Sequence, residues 1–116
     1  MNVTVPKESD PLEKRVAIAP DNVAAFAKLG YDVRVEAGAG ESANFPDSTY
    51  ESAGATIVSD RFEIWRQADL LLKLDPPTME EASMIREGAT LISFAYPARN
   101  EDLLKALGER KINFLG

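Results

Sequence analysis

The feature that most constrains the fold of this chain is a regular alternation of short apolar runs with segments of helical periodicity. The apolar runs occupy residues 3–5, 31–35, 55–58, 70–74, 90–94 and 112–115. Helical patterns occupy residues 20–29, 47–53, 61–67, 78–88 and 100–107. Such an alternation predicts a parallel sheet covered by helices on both faces. We therefore expect an α/β fold, a flavodoxin-like or Rossmann-like three-layer sandwich with a mostly parallel sheet.

Capping residues predict where the fourth helix begins and ends, and apolar spacing predicts which side of the third helix is buried. Thr78 is placed to cap the fourth helix, since its hydroxyl can accept a bond from a first-turn N–H. Gly88 is expected to end that helix, because glycine readily adopts the left-handed conformation found there. In the helix over 61–67, the pattern places Phe62, Trp65 and Ile64 on the inward face.

Composition excludes several classes of function. The chain has 116 residues, a net charge of −6, no cysteine and no histidine. An acidic balance argues against nucleic-acid binding. Without cysteine or histidine there is no disulfide, no thiolate or imidazole metal site and no Ser-His-Asp triad. We expect no metal ion and no catalytic residue in this chain. No apolar run reaches the roughly 18 residues of a membrane span, and the N-terminus has no signal-peptide pattern.

Charged residues follow the first apolar run in an unusual concentration. Lys7, Glu8, Glu13 and Arg15 all come shortly after the strand predicted over 3–5. Ligands in open α/β sheets bind at the carboxyl ends of the strands. Arg15 is a candidate substrate-pocket residue, because a guanidinium can hold a carboxylate or phosphate with two parallel bonds. The alternative is an ordinary solvated loop.

Lys73 lies in a run of leucines over residues 70–74. A continuous apolar run of this length is typical of a strand buried on both faces. An ammonium in such a position is costly unless it is paired. We therefore predict an acidic partner for Lys73, either Glu8 or Glu13, and treat Lys73 as a second substrate-pocket candidate. The alternative is a side chain that reaches water at the end of the strand.

Two loops fit ligand-binding patterns that we do not favour. Residues 38–43 match the G-x-G-x-x-A dinucleotide pattern, but Asn44-Phe45-Pro46 interrupts the helix that such a motif needs to bind a pyrophosphate. We predict that this loop binds no pyrophosphate. Residues 94–100 contain Arg99, a weak anion-site candidate, and an ordinary connection is the favoured interpretation.

Several motifs in the same order resemble one known family, that of the alanine dehydrogenases and transhydrogenases. The motifs cover nearly the whole chain and include residues from most of its predicted elements. They are Pro6-Lys7-Glu8, Glu13, Arg15-Val16-Ala17, Pro20, Val35-Glu36-Ala37-Gly38-Ala39-Gly40, Phe45, Asp47, Tyr50, Ala53-Gly54-Ala55, Leu72-Lys73-Leu74 and Pro77. The resemblance implies a nicotinamide-nucleotide enzyme.

The resemblance also favours one branch of this family. Its alanine dehydrogenases carry a catalytic histidine in the loop after the fifth strand, whereas residues 94–100 of this chain read Phe-Ala-Tyr-Pro-Ala-Arg-Asn. The transhydrogenase branch is therefore expected, with hydride transfer between NADH and NADP coupled to proton translocation. A dehydrogenase lobe that has lost its histidine and a stand-alone flavodoxin-like binding module remain as alternatives.

The family further implies cofactors, partners and location. Residues 1–116 are expected to form a single N-terminal lobe, truncated from a longer two-lobe subunit that binds NAD mainly through its second lobe. The implied partners are NADP-binding and membrane components and a second copy of the subunit, at the cytoplasmic side of a membrane. Arg15 and Lys73 match the residues that bind pyruvate in the dehydrogenases, and their role in this chain stays open between functional and structural.

Overall fold

The computed structural model describes residues 1–8, 14–75, 77–93 and 101–115. Its strands are β1 (Asn2–Val5), β2 (Asp32–Glu36), β3 (Thr56–Val58), β4 (Leu70–Lys73), β5 (Thr90–Ser93) and β6 (Asn113–Leu115). Its α-helices are α1 (Pro20–Lys28), α2 (Asp47–Ser52), α3 (Arg61–Arg66), α4 (Met79–Met84) and α5 (Glu101–Glu109), and a 3-10 turn spans Glu41–Ala43. Within the described ranges, no helix combines the length and apolar character needed to cross a membrane.

The six strands form one sheet in the order β3-β2-β1-β4-β5-β6, and neighbouring strands all run parallel. This is the Rossmann-type order, which distinguishes the fold from the flavodoxin arrangement. Val3 of β1 is registered with Val33 on one side and with Leu70 on the other. The direction of winding therefore reverses between β1 and β4, which makes their carboxyl ends the topological switch point of the sheet.

Separate hydrophobic clusters cover the two faces of the sheet and confirm the expected three layers. On one face, Val23 of α1 and Tyr50 of α2 pack with the valines of β1 and β2. On the other face, the cluster joins Trp65 of α3 with residues of α4 and α5. Leu71 belongs to the second cluster and its neighbour Leu72 to the first. Strand β4 is thus buried on both faces, as its leucine run predicts.

Helix α4 begins as the sequence predicts but ends earlier. Thr78 and Glu81 form a reciprocal capping box, in which each side chain accepts a bond from the other's backbone N–H. The prediction that Gly88 ends the helix is wrong, because α4 stops at Met84 and Ile85 is extended. Ile85 is fully buried in the core of that face, so tertiary packing stops the helix there. Gly88, with φ +86°, serves the turn before β5.

Helix α3 buries two of the three residues that the sequence placed on its inward face, Ile64 and Trp65. Trp65 is fully buried, but Phe62 is 56% exposed, so its predicted inward position is wrong. Ile64 and Trp65 fill the space against the sheet, and Phe62 lies about 200° around the helix from Ile64. The guanidinium of Arg66 stands 5.6 Å from the centre of the Phe62 ring, which partly shields this exposed aromatic surface.

Candidate functional site at the carboxyl edge of the sheet

The candidate site lies at the switch point, where the chain leaves β1 and β4. Pro6, Lys7 and Glu8 follow β1, and Leu74 and Asp75 follow β4. In open α/β sheets, this crevice between strands whose connections diverge is the usual place for a ligand. The sequence analysis selected residues at the ends of two strands that are far apart in the sequence. In the structure these residues meet at one edge of the sheet.

The carboxylate of Glu8 occupies the centre of this edge. Its Oε2 accepts a hydrogen bond from the backbone N–H of Leu74 at 3.0 Å, and its Oε1 accepts one from the N–H of Asp75 at 3.1 Å. The ammonium Nζ of Lys73 lies 2.9 Å from the same Oε1. The predicted acidic partner of Lys73 is thus confirmed and is Glu8. The other candidate partner, Glu13, lies outside the described residues.

Burial makes the Glu8–Lys73 ion pair energetically demanding. The Lys73 side chain is 0% exposed and that of Glu8 is 4% exposed. Removing two charges from water costs several kcal/mol for each ion, so the pair depends on good mutual geometry and on further hydrogen bonds. Glu8 has these bonds from two N–H groups. Nζ has no hydrogen-bond acceptor in good alignment among the described residues, and the Trp65 ring lies 6.0 Å away. The hydrogen bonds that offset the cost of burying the two charges are therefore made mostly to the Glu8 carboxylate.

A second buried carboxylate holds the same loop from the neighbouring strand. Glu36, at the end of β2, accepts a hydrogen bond from the backbone N–H of Lys7 at 2.9 Å and is itself buried. On the other side of β4, the hydroxyl of Ser93 donates to the carbonyl oxygen of Leu74 at 3.2 Å. Hydrogen bonds from polar side chains therefore connect the segments that follow the strands at the switch point. This bonding gives the site a defined shape.

Arg15, the other predicted pocket residue, lies on the surface. Its segment is anchored three residues later, where the hydroxyl of Tyr50 donates to the carbonyl oxygen of Ile18 at 2.8 Å. Burial, with a smaller contribution from Asp47, raises the pKa of Tyr50 to about 12, so the phenol keeps its proton for this bond. The Arg15 side chain is thus exposed, and that of Lys73 is buried. A ligand-binding role for either residue stays a prediction.

The glycine-rich loop over 38–43 is organised by packing. The N–H of Gly38 donates to the carboxylate of Asp47 at 2.9 Å, so that amide already has an anionic partner within the chain. A Cβ atom on Gly40 would lie 2.5 Å from Cε2 of Tyr50 and 2.7 Å from the carbonyl oxygen of Phe45. Both glycines therefore have structural explanations that involve no phosphate. That the loop binds no pyrophosphate remains a prediction.

The structural role of Tyr50, which the sequence analysis names only as part of the family resemblance, was not predicted. It is one of the largest fully buried side chains, and it connects the glycine loop to the segment that carries Arg15. Its neighbours in α2 are mostly polar, and no local pattern indicated a bond to the distant carbonyl of Ile18. The candidate anion residue Arg99 lies outside the described residues. In the described part of the chain, no group of three acidic side chains is placed to hold a metal ion.

The chain is thus an α/β domain with the Rossmann-type strand order. The carboxylate of Glu8 fills the switch point of its sheet. Residues 4–116 match the family described as "Alanine dehydrogenase/PNT, N-terminal domain". This match covers almost the entire chain, and the chain belongs to that family.

Known proteins of both branches of the family are similar to this chain. The NAD(P) transhydrogenase subunit alpha of Haemophilus influenzae is 44% identical over 115 residues, which are 99% of this chain and 22% of that protein. The alanine dehydrogenase of Halomonas elongata is 39% identical over 107 residues, which are 92% of this chain and 29% of that protein. The chain thus spans less than a third of the length of these relatives.

Solved structures show the same likeness in three dimensions. The transhydrogenase from Sinorhizobium meliloti superposes with a TM-score of 0.93 and 37% identity, over 100% of this chain and 33% of that one. An L-alanine dehydrogenase superposes with the same TM-score and 27% identity, over 100% of this chain and 32% of that one. The architecture is therefore common to both branches, and only individual residues can distinguish them.

Proposed function

We propose that this chain is the first lobe of the NAD(H)-binding alpha subunit of an NAD(P) transhydrogenase. In the parent protein, hydride would pass between NADH and NADP, coupled to proton translocation. Family membership supports a nicotinamide-nucleotide enzyme. The 44% identity to a transhydrogenase alpha subunit, over 99% of this chain, supports this branch.

The single observation that carries the choice of branch is the absence of histidine from the sequence. The resemblance to alanine dehydrogenases implies a catalytic histidine after the fifth strand, and residues 94–100 contain none. Without an imidazole at that position, the reaction lacks the expected proton donor and acceptor near neutral pH. The 39% identity to an alanine dehydrogenase reflects the common fold of the family. A stand-alone flavodoxin-like module is disfavoured by the Rossmann-type strand order.

Within the parent protein, we assign this lobe a structural role beside the cofactor. NAD would be held mainly by a second lobe, because the switch point of this one is filled by Glu8 and its glycine loop packs on Tyr50. The proposed partners are the NADP-binding and membrane components and a second copy of the subunit. The lobe would lie on the cytoplasmic side of the membrane.

The test is enzymatic and uses the full-length gene product that contains this lobe. Combined with a transhydrogenase NADP-binding component, it should transfer hydride between NADH and an NADP analogue, measured by absorbance. A parallel assay would follow NAD reduction with L-alanine, with an authentic alanine dehydrogenase as the positive control. Hydride transfer between nucleotides without alanine oxidation supports the proposal. Alanine-dependent NADH formation would place the protein in the dehydrogenase branch.

A further inference from the structure

We propose that Tyr50 couples two loops at the carboxyl edge of the sheet, so that a displacement of one loop is passed on to the other. The first is the glycine-rich loop over 38–43, which follows β2. The second is the segment over 14–19, which carries Arg15 and leads into α1. The Tyr50 ring lies against the first loop, and its hydroxyl is bonded to the second. The inference concerns contacts within this lobe and holds for either branch of the family.

The ring of Tyr50 is in close contact with the glycine-rich loop. A Cβ atom on Gly40 would lie 2.5 Å from Cε2 of Tyr50 and 2.8 Å from its hydroxyl oxygen. The Phe45 ring meets the Tyr50 ring edge-on, with the ring centres 6.3 Å apart. The N–H of Phe45 also donates to the carbonyl oxygen of Gly40 at 2.8 Å, which joins Phe45 to the loop. Because Tyr50 is 0% exposed, close packing leaves little space to absorb a shift of this loop.

The hydroxyl of Tyr50 transmits such a shift to the second loop. It donates to the carbonyl oxygen of Ile18 at 2.8 Å. No rotatable bond separates the phenol oxygen from the ring, so a sideways movement of the ring moves the oxygen with it. At the other end of the side chain, helix α2 fixes the backbone, since the N–H groups of Ala53 and Ala55 both donate to the Tyr50 carbonyl oxygen. The ring therefore turns about a fixed base, and its hydroxyl moves furthest.

The segment over 14–19 depends on this bond for part of its position. Helix α1 begins at Pro20, which has no N–H, and its N-cap residue Ala19 makes no side-chain hydrogen bond. Ile18 is 3% exposed, and Val16 and Ala17 pack against the same hydrophobic cluster as Tyr50. The bond from Tyr50 thus fixes the polar backbone of a segment that is otherwise held by apolar contacts.

The experiment follows the carbonyl carbon of Ile18 by NMR, because its resonance is sensitive to the hydrogen bond that the oxygen accepts. Tyr50→Phe keeps the ring, removes the donor and should shift this resonance. Gly40→Ala should shift it as well, since the added Cβ displaces the ring. In the Tyr50→Phe background, the same Gly40 substitution should have much less effect at Ile18. Gly108→Ala is the matched control and should leave the resonance unchanged, because nothing lies within 4 Å of its added Cβ.

A second measurement uses trypsin, which cleaves after the exposed Arg15 when the segment over 14–19 detaches. In Tyr50→Phe this cleavage should become about fivefold faster relative to cleavage after Lys105 in α5, the ratio expected for one lost hydrogen bond. Ile64→Val is the control, since it weakens the core on the opposite face of the sheet. It should leave the ratio of the two cleavage rates unchanged.

The proposal is overturned if Tyr50→Phe leaves either the Ile18 resonance or the cleavage ratio unchanged. It is equally overturned if Gly40→Ala shifts the Ile18 resonance as much without the hydroxyl as with it, or does not shift it at all. Should Gly40→Ala fail to fold, Phe45→Leu takes its place. That variant perturbs the same loop by removing the ring that packs against Tyr50, and the same criteria decide.

Discussion

Nζ of Lys73 and Oε1 of Glu8 lie 2.9 Å apart in the interior of the protein, at the edge of the sheet where ligands of α/β folds usually bind. Two backbone N–H groups complete the surroundings of this carboxylate. Lys73, which the sequence marks as a pocket candidate, is thereby paired with Glu8. Its measurable contribution in this chain should be to stability.

Lys73→Met should destabilise the fold by about 3 kcal/mol, because it leaves the buried Glu8 carboxylate without its counter-ion. The double variant Lys73→Met/Glu8→Gln should lose less stability than the sum of the two single variants, with a coupling of about 1 kcal/mol or more. Urea unfolding of the four proteins measures both quantities. Strict additivity would show that the two side chains do not stabilise each other.

Gly40→Ala should destabilise the protein by about 1–3 kcal/mol, the usual range for overpacking. The added Cβ would lie 2.5 Å from the Tyr50 ring. Gly108→Ala is the matched control, since nothing lies within 4 Å of its Cβ position and it sits inside α5. That substitution should stabilise the protein by about 0.5–1 kcal/mol. Equal effects of the two substitutions, measured by thermal unfolding, would contradict the packing explanation for Gly40.

Asp69 should make part of the stability dependent on pH. The N–H of Asn2 donates to its carboxylate at 2.8 Å and, together with the Arg86 guanidinium, lowers its pKa from the ordinary value of 3.8. A lowered folded-state pKa contributes stability that is complete above the unfolded value and disappears as the pH falls through the folded value. Asp69→Asn should therefore cost about 1 kcal/mol at pH 7.

The difference in unfolding free energy between Asp69→Asn and the unsubstituted chain should shrink once the pH drops below 3.8. Urea unfolding of both proteins at pH 7 and pH 3 provides the comparison, and the other carboxylates cancel in the difference. A gap that is the same at both pH values would mean that the charge on Asp69 does not contribute.

The 116-residue chain alone should bind NADH weakly or not at all and should transfer no hydride. Hydride transfer needs two nicotinamides held face to face, which takes groups from more than one lobe. Isothermal titration with NADH should show millimolar or undetectable affinity, with binding restored in a longer polypeptide that includes the second lobe. Micromolar affinity for the short chain would contradict this and would direct attention back to residues 38–43.

Much of the architecture could be predicted from the sequence because its signals are local. Apolar periodicity is set by neighbouring residues, and it correctly indicated six strands alternating with five helices. The Thr78 cap was predictable for the same reason, since its partner is three residues away. The leucine run of β4 indicated burial on both faces. The unpaired charge within that run was enough to predict an acidic partner for Lys73.

Only the tertiary structure decided what depends on residues far apart in the chain. The strand order brings Glu8 next to the end of β4, which makes Glu8 the partner of Lys73 and buries the pair. The contact of Gly40 with Tyr50, and the early end of α4 at the buried Ile85, have the same origin. Local patterns specify which faces are apolar, whereas close packing specifies which atoms share a given space.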